Sequence, residues 1–138
     1  MSRCGQTNSA DVVVRMVDGP IDPARDASWS APGAGALVCF QGVVRGQEGG
    51  RPVVGLDYED YPPMSERELE RLGREVARSH GLLGMRVWHS RGRVGVGECS
   101  FHLCVASAHR KEALAGMDEF IDRMKREVPL WKVAVFKR

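Results

Sequence analysis

The sequence predicts an α+β fold, with two long helices packed on a sheet whose strands are joined in part by hairpins. Three observations predict it. Apolar residues recur at helical spacing in two long segments, near 62–81 and 108–127. Strand-length runs rich in Val and Phe surround them. Strands and helices alternate unevenly, unlike the regular strand–helix order of a doubly wound parallel sheet. The chain has 138 residues, 43% hydrophobic and 28% charged, which fits one domain with a core (1–138) and argues against disorder.

Residues 1–10 are small and polar and are expected to fray. "DVVVRMV" (11–17) reads as a first strand. The Pro-, Gly- and Asp-rich stretch after it reads as a loop with one short helical turn after Asp22. "GALVCFQGVVR" (35–45) is continuously apolar and is expected to be a strand buried on both faces. "GQEGGR" (46–51) reads as a flexible hairpin loop, returning into a strand over 52–61 with Val54, Leu56 and Tyr58 alternating.

The clearest helix is "PPMSERELERLGREVARSHG". Ser65 and Glu68 have the spacing of a capping box, Leu69, Leu72 and Val76 share a face, and Gly81 suits the C-terminal stop. A strand at 85–90, a Gly-rich connection at 91–98 and a strand at 99–106 follow. In the last of these, Phe101, Leu103 and Val105 face one way and His102 and Cys104 the other. The second helix runs from near Ala108 to near Glu127, with Ala113, Leu114, Met117, Phe120, Ile121 and Met124 as its stripe. Pro129 ends it, and "LWKVAVFKR" closes as a strand.

Composition excludes several functions. A net charge of +2 is well short of a dedicated nucleic-acid binder but fits a local anion pocket. No run approaches the ~18 apolar residues of a membrane span, and no signal-peptide core is visible. The four cysteines form no C-x-x-C pair, which leaves zinc and redox motifs unsupported. Cys39 and Cys104 lie in apolar strands, where a free thiol behaves as a small hydrophobe, so a reducing compartment, the cytoplasm, is expected. "GRVGVGE" lacks the full G-x-G-x-x-G fingerprint, so a dinucleotide site is rejected.

Cations stand where local rules disfavour them. "SAHR" puts His109 and Arg110 at a helix start, where the unpaired N–H groups already carry partial positive charge. Arg45 ends a strand, Lys125 sits at the edge of the second helix's apolar stripe, and Lys132 interrupts an apolar strand. Each has a plain structural reading: a loop arginine, a snorkelling lysine, an edge-strand lysine, or a helix start paired with Glu112. Together they would also suit a phosphate or carboxylate. Arg offers bidentate donors, and a lysine near other cations loses its proton more readily.

The ordered set "GALVCFQGVVR", "YEDYPPMSERELERL", "SAHRKEALAGMDEFIDRMK" and "VPLWK" resembles the large, catalytic subunit family of molybdopterin synthase, from about Gly35 to Lys132. The resemblance implies an α/β hammerhead-type fold and a homodimer. It implies a small ubiquitin-like partner whose C-terminal Gly-Gly tail carries a thiocarboxylate. The implied activity moves sulfur from that tail to cyclic pyranopterin monophosphate in two rounds, without a metal or organic cofactor. Residue by residue, Lys125 and Lys132 match the family's essential lysines, with Lys125 the main acid–base or nucleophilic group. Arg45, His109 and Arg110 match residues implied to hold the phosphate and pterin, the last two reaching the pocket from the other subunit. Phe40 matches an apolar residue near the pocket. After Lys132 the family continues with a basic residue and a glutamate, where this chain has Val133 and Ala134, and Val43 replaces a position often basic. A non-catalytic scaffold on the same fold is the alternative those departures raise.

Overall fold

The run read as a strand over 99–106 lies inside a seven-stranded sheet in the computed structural model, which describes residues 10–26 and 29–138. In chain order the elements are β1 (Asp11–Asp18), α1 (Pro23–Asp26), β2 (Ala36–Val43), β3 (Gln47–Glu48), β4 (Arg51–Glu59), α2 (Met64–His80), β5 (Gly84–Gly95), β6 (Cys99–Ser107), α3 (Arg110–Glu127) and β7 (Trp131–Phe136). The strand order is β2-β6-β5-β4-β3, with β1 beside β5 and β7 beside β4. Among the described residues only β1–β5 is parallel; the other pairings are antiparallel. This is the α+β class the sequence predicts. The expectation that residues 1–10 fray lies, apart from Ala10, outside the described residues.

Both long helices cover one face of the sheet. Leu69, Leu72 and Val76 of α2 and Ala113, Met117, Phe120 and Met124 of α3 close over Met85, Val87, Leu103 and Val105. Burying each of the Leu, Val, Met and Phe side chains contributes roughly 1.5–3 kcal/mol. Gly73 lets α2 approach the sheet closely, since a Cβ there would stand 2.9 Å from Val12 Cγ1. Arg123 laces α3 to α2 through Glu75 at 2.8 Å and pairs with Glu127 at 2.7 Å on its own helix. These guanidinium contacts hold the Glu75 and Glu127 carboxyls below their usual range.

Several local expectations are corrected. β2 is an edge strand rather than a doubly buried one, so Leu37, Phe40 and Val43 are exposed. The 46–51 stretch is a tight β3–β4 hairpin, because Gly49 and Gly50 supply the two positive φ angles that a two-residue turn needs. A register shift between Val53 and Gly55 turns Val53 inward and Val54 outward, breaking the read alternation. The "Gly-rich connection" at 91–98 is largely strand: β5 continues to Gly95, exchanging partner β6 for β4 at Gly92, whose φ is +80°.

The helix ends also differ. Ser65 and Glu68 form no capping box. Pro63 is the N-cap of α2, and the Ser65 hydroxyl instead accepts from the Tyr61 N–H at 2.8 Å and donates to the Pro129 carbonyl at 2.9 Å. Glu68 turns to Arg71. Gly81 ends α2 in the left-handed region, as read. α3 begins at Arg110 with His109 as N-cap, and Leu114 points outward, its place on the buried stripe taken by Gly116. Cys39 and Cys104 are not free buried thiols: they face one another across β2 and β6 and are joined as a disulfide, with Cys39 exposed.

Candidate active site

The break at Pro129 decides where the site forms. α3 stops at Glu127, and the chain turns back at once into β7, which pairs with β4. The register sets Lys132 directly opposite Tyr58, and the short turn leaves Trp131 and Lys132 beside the last turn of α3, which carries Lys125. A lysine there is favoured by the partial negative charge of the helix C-terminus.

A cleft of about 630 Å³ opens at this junction. Its apolar floor is Leu56, Ile121, Met124 and Leu130. Phe40 and Phe101 form one wall, ring centroids 6.0 Å apart. Arg45, Lys125 and Lys132 stand at its rim, all three exposed. A cationic rim over an apolar floor suits a flat ring bearing an anionic group.

The structure thus brings together Phe40, Arg45, Lys125 and Lys132. It does not bring His109 and Arg110 to them within one chain. Those two open α3, and sixteen residues at about 1.5 Å per residue put them roughly 24 Å from Lys125. His109 is exposed there, its Nδ1 3.5 Å from Glu112, and the Ser107 hydroxyl donates to the His109 carbonyl.

Four polar lining residues, Glu48, Tyr58, His89 and Ser100, escaped the sequence reading as site members. Glu48 reaches two of the three rim cations, Oε2 3.4 Å from Arg45 and Oε1 3.8 Å from Lys132. Deeper, Tyr58 donates to the Ser100 hydroxyl at 2.9 Å, and burial pushes the Tyr58 phenol up. His89 packs edge-on against Tyr58 at 5.3 Å, with its Nδ1 2.7 Å from the Ser90 carbonyl. A carbonyl only accepts, so Nδ1 carries the proton and Nε2 is left as an acceptor. Burial depresses the His89 pKa, keeping the ring neutral. Tyr58 had a signal, the inward alternation of its strand. Glu48 had none, because its role depends on where the hairpin folds back.

No group of metal-ligating side chains lines this cleft among the described residues, and no described helix is long and apolar enough to cross a membrane.

Comparison with known proteins places these features in a family. The family model described as MoaE protein matches residues 16–127. The molybdopterin synthase catalytic subunit of Thermoplasma volcanium is 40% identical over 101 residues, covering 73% of this chain and 74% of that protein. The subunits of the same name from Aspergillus niger and Homo sapiens are 36% and 34% identical, over 85% and 78% of this chain. The chain spans only 66% and 57% of their lengths. Among solved structures, molybdopterin synthase from Staphylococcus aureus superposes with a TM-score of 0.79 at 28% identity, over 96% of this chain and 94% of that one. A complex of subunits 1 and 2 of molybdopterin-converting factor from Helicobacter pylori shares the fold, with a TM-score of 0.71 at 24% identity, over 91% of this chain and 90% of that one.

Proposed function

The chain belongs to the MoaE protein family, and from that premise we propose that it is the catalytic subunit of a molybdopterin synthase. It takes sulfur from the C-terminal thiocarboxylate of a small ubiquitin-like subunit. It delivers that sulfur to cyclic pyranopterin monophosphate, in two rounds, forming the dithiolene of molybdopterin. The observation that carries this reading is the cleft itself: Arg45, Lys125 and Lys132 around an apolar floor, with Phe40 on its wall.

Each group has a role that its position supports. Phe40 and the aliphatic floor receive the pterin, since flat rings pack well on apolar and aromatic side chains. Arg45 binds the phosphate through a fork of N–H donors. Lys125 transfers protons, or attacks as nucleophile, during sulfur transfer, with Lys132 assisting. His109 and Arg110 come from a second copy of the chain, because within one chain they stand at the far end of α3. The sulfur donor is a separate protein; the Helicobacter pylori structure that shares the fold is itself a complex of two subunits. Exposed Trp131 and Val133 offer apolar surface beside the cleft for that partner's tail.

The test is reconstitution of this protein with the thiocarboxylated small subunit and cyclic pyranopterin monophosphate, followed by assay of the fluorescent oxidation product of molybdopterin. Turnover is expected. A complex that binds the small subunit yet forms no product would overturn the catalytic reading in favour of a scaffold on the same fold.

A further inference from the structure

A second cluster of reactive side chains lies away from the cleft. β6 alternates: Phe101, Leu103 and Val105 face the helices, so His102 and Cys104 face the other way. Register sets Cys39 of β2 directly opposite Cys104, with a Cα separation of 4.2 Å. His102 Nε2 lies 3.2 Å from Cys104 Sγ, and one ligand atom from each of the three residues lies within 4.8 Å of the others. His102 and Cys104 are buried, while Cys39 on the edge strand is exposed. None of the three lines the candidate active site.

We propose that the reduced Cys39–His102–Cys104 cluster is a binding site for a thiophilic divalent cation of the zinc class, and that the Cys39–Cys104 disulfide is its metal-free, oxidised form. The chemistry of the donors points there. Two thiolates and a neutral imidazole are a ligand set that zinc takes in tetrahedral geometry, leaving one position open to water or an exchangeable group. Opposed residues of an antiparallel pair have Cβ atoms about 4.5–5.5 Å apart, and zinc–sulfur bonds of about 2.3 Å put tetrahedral sulfurs roughly 3.8 Å apart. Two thiolates also cancel the charge of a divalent ion, so the loaded site is neutral, as a half-buried position requires. The exposed Cys39 provides the entry path.

The steps balance. A dithiol reductant gives two electrons and two protons to the Cys39–Cys104 bond, breaking it to two thiols while itself closing to a disulfide. The cation then displaces both thiol protons to solvent and forms two metal–sulfur bonds and one bond to His102 Nε2.

The experiment uses the full chain, reduced with a phosphine, desalted without oxygen and titrated with Co²⁺ alone. One Co²⁺ per chain is expected. It should show thiolate-to-cobalt charge-transfer absorption and the visible bands of tetrahedral cobalt, both bleached by Zn²⁺. Oxidised protein should show neither. Cys39→Ser, at an exposed edge position that leaves the core untouched, should abolish the signal. Cys4→Ser and Cys99→Ser should retain it. Absence of the bands from reduced protein overturns the proposal, as does their persistence in Cys39→Ser or their loss in Cys4→Ser or Cys99→Ser.

Discussion

Lys125 shows how a residue's surroundings narrow its chemistry. Its stem lies at the margin of the α3 stripe beside Met124, and its ammonium stands at the mouth of a cleft that also holds Lys132 and Arg45. A positioned proton-transfer group contributes about 10²–10⁴-fold to rate. Lys125→Ala should therefore lower product formation by about that factor in the reconstituted assay, with the far-ultraviolet circular dichroism unchanged. Full activity in that variant would remove Lys125 from the mechanism. His89 carries a prediction of another kind. Its folded-state pKa is depressed by burial, so above the unfolded value of 6.5 the ring is neutral in both states. As the pH falls below that value, the unfolded chain takes a proton that the folded chain refuses. Stability is thus lost progressively on the way down to the folded pKa, at up to ~1.4 kcal/mol per pH unit. Urea midpoints should fall between about pH 7.5 and 5.5 in the wild type, and less steeply in His89→Gln. The Glu75, Glu119 and Glu127 carboxyls, held low by their partners, act in a separate window below about pH 4.5.

At the scale of elements, the connection between α3 and β7 is what builds the site, and Ser65 fastens it. Its fully buried hydroxyl links the Tyr61 N–H, just before α2, to the Pro129 carbonyl, just after α3. Removing it leaves a part-buried donor and acceptor unpaired, which costs about 1–3 kcal/mol. Ser65→Ala should lower the denaturant midpoint accordingly. It should also reduce activity more than its stability loss explains, because Pro129 positions Trp131 and Lys132. An unchanged midpoint would show that water satisfies both groups. The cations of "SAHR" have a purely local explanation within one chain, His109 beside Glu112, and a functional one only when a second chain is considered.

The whole molecule raises that question directly, since one chain holds Arg45, Lys125 and Lys132 in a cleft and His109 and Arg110 at the other end of α3. If a two-fold dimer completes each site, Lys125→Ala and Arg110→Ala chains should complement when co-expressed. Half of randomly formed dimers are mixed, and each mixed dimer holds one intact site, so activity should recover to about a quarter of wild type. If each site is built from one chain, the mixture stays as inactive as its parents.

The fold class, the two helices and most of their buried faces, and the apolar face of β6 are legible in the residues alone. Those features follow from periodicity, and a period of 3.6 or 2 is written in the order of residues. The candidate cations stand out by where they sit in the sequence, and the resemblance to a family, carried by "SAHR" and "VPLWK", added their roles and Phe40. That the apolar strand β2 is an edge emerges from the folded chain, because burial depends on neighbours and not on composition. Folding also makes Ser65 clamp a distant turn rather than cap its helix, and lets β5 run through its glycines by changing partners. Folding likewise sets Glu48 between Arg45 and Lys132, and Cys39 against Cys104. Each of these is a meeting of residues far apart in the chain, fixed by strand register and by where a helix stops. Local pattern carries no record of register, which is why these contacts became legible only in three dimensions.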